Sequence, residues 1–105
     1  MADEKKLHLL ASDDEIENAT MALKAMAHNI RLKILCVLKE NELTVSEILE
    51  AVGSSQSNIS QHLDILKNKQ ILDSHRVGNK ILYSIKNIKV LKLIENMRMI
   101  FCEID

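Results

Sequence analysis

The chain has only two glycines and no proline among its 105 residues, so few positions strongly interrupt the backbone. Gly53 and Gly78 therefore mark the places where the chain is expected to turn. Gly53 stands where a left-handed residue would end a short helix, and Gly78-Asn79 is a two-residue signal for a β-hairpin. The sequence is thereby divided into helices and one hairpin.

Two capping boxes predict where helices begin. Ser12-Asp13-Asp14-Glu15 predicts the start of the first helix, and Thr44-Val45-Ser46-Glu47 predicts the start of the third. Single polar residues are expected to cap the remaining helices, and these are Asn29, Ser54 with Ser55, and Asn87. Apolar residues recur at helical spacing behind each of these caps.

The order of the elements predicts a mainly α fold with a β-hairpin wing, a winged helix-turn-helix. Ile71 to Val77 and Lys80 to Ile85 read as the two strands of the hairpin. We expect an acidic, flexible leader over residues 1–11 and a single domain over residues 12–105. Within that domain the recognition helix is expected at about 55–69, the wing at about 71–85 and a C-terminal helix at about 87–103.

Composition narrows the class of protein. Hydrophobic residues make up 47% of the chain and aromatic residues 2%, so the core should be aliphatic. No apolar run approaches the roughly 20 residues that a membrane span needs, and the acidic N-terminus does not resemble a signal peptide. Two cysteines are too few for a disulfide framework. We therefore expect a cytoplasmic protein that does not bind membranes.

Charge is distributed unevenly along a chain whose net charge is −1. Residues 1–17 hold six acidic residues and two lysines, whereas the remainder holds twelve Lys and Arg against nine Asp and Glu. A modestly basic body behind an acidic tail is compatible with nucleic-acid binding.

The segment from Ser54 to His62 suggests how DNA would be read. It carries no formal charge. Around the apolar Ile59 it consists of short polar side chains that can donate and accept hydrogen bonds. Such side chains at the start of a helix can read base edges in the major groove. Cations follow at the far end of the helix and on the hairpin, namely Lys67, Lys69, Arg76 and Lys80. The alternative is a solvated polar face that binds nothing.

Three segments resemble the ArsR/SmtB family of bacterial repressors, and they are Leu32-Lys33-Ile34-Leu35, Leu43-Thr44-Val45-Ser46-Glu47-Ile48 and Ser55-Gln56-Ser57-Asn58-Ile59-Ser60-Gln61-His62-Leu63. The resemblance covers nearly the whole chain. It implies a homodimer, formed by the first and last helices, on double-stranded operator DNA. The positions that it assigns to DNA binding are Arg31, Gln56, Ser57, Ser60, Gln61, His62, Arg76, Asn79 and Lys80.

The metal sites known in that family are missing here. Thr44 and Ser46 replace the two cysteines of its Glu-Leu-Cys-Val-Cys box, and hydroxyls are poor ligands for thiophilic ions. Residues 87–103 contain neither His nor Asp, which the second known site requires. No two of the four histidines share a helix face at i, i+4 spacing. We therefore expect no metal and no cofactor.

Cys36 and Cys102 resemble the cysteine pair of the family's persulfide-sensing dithiol branch (SqrR/BigR/HlyU-like). That resemblance implies that reactive sulfur species act as inducer, bridge the two thiols through a polysulfide and release the DNA. Lys33, Lys39 and Arg98 are expected to favour the reactive thiolate. In this hypothesis Cys36 attacks the sulfur donor and Cys102 resolves the product.

Several alternatives remain open at this stage. The two cysteines could be small packed hydrophobic residues, or the regulator could sense peroxide, disulfide stress or a metal. It could also be a HlyU-like antirepressor without ligand control, or a winged-helix module that docks on proteins. An enzyme is the least favoured reading, because the chain has no Gly-rich phosphate loop, nucleophile elbow or paired carboxylates.

Overall fold

The computed structural model describes residues 10–102. Within them lie five helices and three strands. Their bounds are α1 Asp13–Met26, α2 Asn29–Leu38, β1 Leu43–Thr44, α3 Val45–Val52, α4 Gln56–Asn68, β2 Leu72–Val77, β3 Lys80–Ile85 and α5 Ile88–Phe101. Most of the predicted leader, and the last residue of the predicted C-terminal helix, lie outside the described residues.

Both predicted capping boxes are confirmed. The Ser12 hydroxyl accepts the Glu15 N–H at 3.2 Å, and the Glu15 carboxylate accepts the Ser12 N–H at 2.8 Å. Thr44 and Glu47 repeat this exchange at 3.2 and 2.9 Å. These hydrogen bonds hold the pKa of both glutamates below its ordinary value. The N-terminal N–H groups of α1 and α3 are thus partnered by local residues.

The predicted cap of α2 is wrong by one residue. His28 has extended backbone angles, and its Nδ1 accepts the Ile30 N–H at 3.1 Å. Asn29 is the first helical residue. An imidazole nitrogen can accept this N–H in the way that the oxygen of Asn or Asp does, so the histidine takes the capping position.

The sheet contains one strand more than the predicted hairpin. Strands β2 and β3 pair antiparallel from Leu72 opposite Ile85 to Val77 opposite Lys80, and Gly78 occupies the turn with a φ of 63°. The two-residue strand β1 pairs with the other edge of β3. Because β1 leads directly into α3, this pairing attaches the start of α3 to the wing.

The core is aliphatic, as the composition predicts. Its fully buried side chains come from α2, α3, α4 and β2, and they are Ile34, Leu35, Leu38, Ile48, Ile59, Leu63, Leu66 and Leu72. Tyr83 is the aromatic residue of this core, at 9% exposed, whereas Phe101 is 79% exposed. Burial of each Leu or Ile side chain stabilises the fold by about 1.5–3 kcal/mol.

A tight turn joins α3 to α4. Gly53 and Ser54 both have positive φ, 87° and 81°, in the region that side chains other than glycine rarely adopt. Asn58 holds this conformation by donating from its side-chain amide to the Ser54 hydroxyl at 2.7 Å. The two helices and the following hairpin form a winged helix-turn-helix, which confirms the predicted fold class.

Candidate nucleic-acid interface and cysteine pair

The outward face of α4 is polar and uncharged near its start. Gln56, Ser57 and Gln61 are exposed, and Ser60 is half-buried. Ser55 caps the helix by accepting the Asn58 N–H at 3.1 Å. Amides and hydroxyls on such a face present the donors and acceptors that distinguish base edges.

The wing presents its polar and basic residues close to the hairpin turn. Arg76, Asn79 and Lys80 are all exposed, and Asn79 and Lys80 border a groove of about 300 Å³ together with the first residues of α3. Behind the turn, His75 Nδ1 lies 3.2 Å from Glu42 Oε2. The tip of the wing therefore offers cations beside the helix-turn-helix, where phosphate oxygens could be bound.

His62 lies largely inside the structure. The residue was predicted to face DNA, but it is only 9% exposed and is the buried polar residue of the described core. Its contacts with residues at the start of α2 show that its side chain points toward that helix. Little of its imidazole is therefore open to solvent.

His62 instead meets two residues at the start of α2. Its ring lies 4.5 Å from the ring of His28, centroid to centroid, and its Nδ1 is 3.2 Å from an Nη1 of Arg31. Arg31, also predicted to contact DNA, is half-buried and donates through Nε to the carbonyl of Ala25. Burial is the main cause that lowers the pKa of His62 below its ordinary value, and the neighbouring His28 and Arg31 act in the same direction.

The cysteines occupy different environments. Cys36 on α2 is half-buried against the core, whereas Cys102 is exposed and ends α5 as its C-cap. Both are free thiols. Cys36 lies in the middle of α2, and Cys102 lies at the C-terminal end of α5.

Two of the three expected cations, Arg98 and Lys39, act on the Cys36 thiol in the predicted direction, but burial has the larger effect. Burial raises the pKa of the Cys36 thiol, and the charges of Arg98 and Lys39 oppose that rise without reversing it. The reactive thiolate of Cys36 is therefore disfavoured relative to that of an ordinary cysteine.

An apolar groove of about 220 Å³ lies between α1, α2 and α5. Every residue that lines it is hydrophobic, and they are Leu23, Met26, Ala27, Leu32, Leu93, Ile94 and Met97. Elsewhere on α5, Met99 and Ile100 are each 71% exposed. Exposed apolar surface is typical of places where another molecule packs.

Two absences apply to the part of the chain that the structure describes. Across residues 10–102, no group of three or more His, Cys, Asp or Glu side chains is arranged to hold a metal ion. Over the same residues, no helix has both the length and the apolarity that crossing a bilayer requires.

Two side-chain contacts were not anticipated from the sequence. His28 and His62 are brought together although they are far apart along the chain, and Glu42 reaches His75 on the wing. The sequence offered a partial signal for the first contact, since His28 and Arg31 are three residues apart and thus share one side of α2. It contained no signal for the partner on α4.

Comparison with known proteins gives a consistent result. The model of the family described as "Bacterial regulatory protein, arsR family" matches residues 28–74, from the cap of α2 into β2. The transcriptional activator HlyU of Vibrio cholerae is 32% identical over 97 residues, which are 92% of this chain and 90% of HlyU. The biofilm growth-associated repressor of Xylella fastidiosa is 31% identical over 104 residues, which are 97% of this chain and 91% of the repressor.

Solved structures agree with these matches. HlyU from Vibrio cholerae superimposes with a TM-score of 0.83 at 33% identity, covering 88% of this chain and 100% of HlyU. A homodimeric winged helix-turn-helix DNA-binding domain from Mycobacterium bovis superimposes with a TM-score of 0.76 at 26% identity, covering 89% of each chain.

The lowered pKa of His62 predicts a pH-dependent stability. The unfolded chain binds a proton at this residue more readily than the folded protein does, so the free energy of unfolding should fall as the pH drops below about 6.5. His62→Leu removes this contribution, and its stability should change less between pH 7 and pH 5. Urea unfolding followed by circular dichroism measures both proteins. An equal loss of stability in the two proteins would contradict the prediction.

Proposed function

The chain belongs to the ArsR family of bacterial regulatory proteins, and on that premise we propose that it is a homodimeric repressor whose operator binding is switched by reactive sulfur species at Cys36 and Cys102. Its family and relatives are DNA-binding transcriptional regulators and not enzymes. The observation that carries the proposal is the exposed, uncharged face of α4 beside a basic wing.

Each part of this surface has its own role in the proposal. Gln56 and Gln61 read base edges with their amides, and Ser57 and Ser60 supply short hydroxyls. Arg76 and Lys80 bind phosphates, and Asn79 at the wing tip adds a polar contact. The proposal reassigns Arg31 and His62, which are packed between helices.

Substitutions on α4 and on the wing should weaken DNA binding in different ways. The probe is a duplex enriched from a random library by the reduced wild-type protein. Gln61→Ala should lose about 1–3 kcal/mol of affinity for this duplex and little for unselected DNA. Lys80→Met should weaken binding to both and lower the slope of log K against log salt by about 0.9. Fluorescence anisotropy over a salt series measures these effects.

Lys92→Met is the control for that experiment. Lys92 is an exposed cation on α5, away from the proposed DNA-binding surface of α4 and the wing. Its salt slope should match that of the wild type. Failure of the wild-type protein to enrich any duplex, with no salt-dependent binding, would overturn the DNA-binding function. It would favour a module that docks on proteins.

The apolar groove between α1, α2 and α5 supports the homodimer. A face lined only by hydrophobic residues gains stability when a second copy removes it from water. The superimposed domain from Mycobacterium bovis is homodimeric. A second copy of this chain is therefore the occupant that we assign to the groove, with α1 and α5 as the interface.

A charge in this groove should dissociate the dimer. Leu93→Glu places a carboxylate in the apolar surface, where it would have to be desolvated without a partner. We expect a monomer at micromolar concentration in sedimentation velocity, with the helical circular dichroism retained. Lys92→Glu, on an exposed position one residue earlier, should remain dimeric. A dimeric Leu93→Glu protein would place the interface elsewhere.

The environments of the two thiols support a mechanism in which Cys102 reacts first. Cys102 is exposed, whereas burial disfavours the Cys36 thiolate, so the order is the reverse of the one expected from the sequence. The Cys102 thiolate attacks a central sulfur of an organic tetrasulfide, R–S–S–S–S–R, and one thiol R–SH leaves. The Cys36 thiolate then attacks the sulfur next to the remaining S–R group and releases a second R–SH, which leaves a tetrasulfide bridge.

The bridge would act on DNA through the helices that it joins. It ties α2, which packs on the recognition helix, to the end of α5 in the dimer interface. Only a difference in DNA affinity between the reduced and bridged forms can shift occupancy. A coupling of about 1–3 kcal/mol would change that affinity by about 5- to 150-fold.

Intact mass spectrometry with an organic tetrasulfide tests the dithiol. The reduced wild-type protein should gain two sulfurs and lose two hydrogens. Cys36→Ser should stop at the Cys102–S–S–S–R adduct. Cys102→Ser should react more slowly, because Cys36 is half-buried and burial disfavours its thiolate. Both variants should bind DNA when reduced and stay bound after treatment.

The other outcomes identify the competing hypotheses. A loss of two hydrogens with peroxide, and no sulfur gain with the tetrasulfide, would indicate a disulfide switch. Loss of DNA binding in the untreated Ser variants would assign the cysteines to packing. HlyU is named as an activator, which favours a second candidate function, an antirepressor that displaces another regulator from its site. Unchanged DNA affinity after bridging would support this second candidate.

A further inference from the structure

One guanidinium group joins three helices at the base of the recognition helix. Arg31 on α2 donates through Nε to the Ala25 carbonyl at the end of α1. Its Nη1 lies 3.2 Å from Nδ1 of His62 on α4. In residues 10–102 this is the only side-chain hydrogen bond that connects α4 to another helix.

We propose that Arg31 is a positioning residue that fixes the orientation of the recognition helix through Nδ1 of His62, and that neither side chain contacts DNA. This inference rests on the proposed DNA binding and deepens it. Arg31 and His62, which the sequence assigned to DNA contacts, instead hold the helix that carries the remaining DNA-binding residues.

Hydrogen-bond chemistry determines which nitrogen of His62 accepts the hydrogen bond from Arg31. A guanidinium can only donate, so Nδ1 of His62 must be the acceptor and carry no proton. The neutral ring then has its proton on Nε2. His28 is constrained in the same way, because its Nδ1 accepts the Ile30 N–H at 3.1 Å while its ring packs 4.5 Å from that of His62. The cluster thus holds two neutral rings beside one permanent cation.

The position of the cluster explains why it would affect DNA reading. Ile59, Leu63 and Leu66 attach α4 to the core through apolar contacts, which have no strict directional requirement. The Arg31–His62 hydrogen bond is directional, and it lies one residue beyond Gln61, whose amide is proposed to read bases. Base contacts require side chains held within about 0.5 Å of their productive position, so a small rotation of α4 would weaken them.

Two amide substitutions of His62 separate this role from a direct DNA contact. The polar end of asparagine falls near the place of Nδ1, and that of glutamine falls near the place of Nε2. His62→Asn should therefore keep an acceptor for Arg31 and bind the selected duplex with nearly wild-type affinity. His62→Gln should lose the acceptor and bind on the order of tenfold more weakly or worse. Fluorescence anisotropy measures both, and urea unfolding confirms that each variant is folded.

The opposite order would overturn the inference. If His62→Gln retained affinity and His62→Asn lost it, Nε2 would be making a direct contact with DNA. Equal affinities in both variants would likewise contradict a positioning role for Nδ1. If the wild-type protein bound no duplex at all, the proposed function would fail instead, so the two failures are distinguishable.

A second pair of variants tests Arg31 independently. Arg31→Met should weaken binding to the selected duplex and leave the salt slope unchanged, because no phosphate contact is lost. Lys33→Met removes the same charge from an exposed position on the same helix and reports the effect of charge alone. A slope lower by about 0.9 in Arg31→Met, but not in Lys33→Met, would identify Arg31 as a phosphate ligand and overturn its positioning role.

Nitrogen-15 spectra of the His62 ring supply a readout that does not depend on DNA. The wild-type spectrum should show an unprotonated Nδ1, and its chemical shift should move in Arg31→Met. An Nδ1 that carries the proton in the wild-type protein would exclude the proposed hydrogen bond.

Discussion

The packing of α4 against α2 and α3 is the interaction on which the rest of the structure depends. Ile59 and Leu63 of α4, Ile34 of α2 and Ile48 of α3 are all fully buried. Each such burial contributes about 1.5–3 kcal/mol, so four of them are comparable with the entire net stability of a small domain. This contact attaches the recognition helix to the core, and in the proposed positioning role the directional contact from Arg31 adds a further restraint on its rotation.

The same packing decides which chemistry α4 can present outward. With one stripe of the helix buried, Gln56, Ser57 and Gln61 remain on the exposed face and carry no charge. The cations Arg76 and Lys80 are placed on the wing instead. In the proposed function this separates attraction to phosphate from discrimination between bases, two tasks that protein–DNA interfaces commonly assign to different residues. An uncharged face gains little binding energy from the phosphates of nonspecific DNA. It therefore contributes more to discrimination between sequences than to overall affinity.

Features that depend on neighbours in sequence could be predicted, and features that depend on distant partners could not. The capping boxes at Ser12 and Thr44 involve residues three apart, and the hairpin turn at Gly78 needs only two residues, so the sequence contains all of their information. Strand β1 is two residues long and exists because β3 lies beside it, which no local pattern encodes. The burial of His62 could not be predicted for the same reason, because a polar residue on a polar helix is expected to be exposed until its partner Arg31 is known.

Helix α2 connects the two sites that the sequence analysis treated separately. It carries Arg31 near its start and Cys36 five residues later, about 7.5 Å along the axis at 1.5 Å per residue. Between them, Ile34 and Leu35 are fully buried, so α2 is held by the core and moves as one body if it moves at all. A bridge to Cys102 that pulls on Cys36 would therefore act on the Arg31–His62 hydrogen bond as well. Because that bond has a narrow range of favourable geometry, a small displacement of α2 could change the orientation of α4 without disturbing the apolar core.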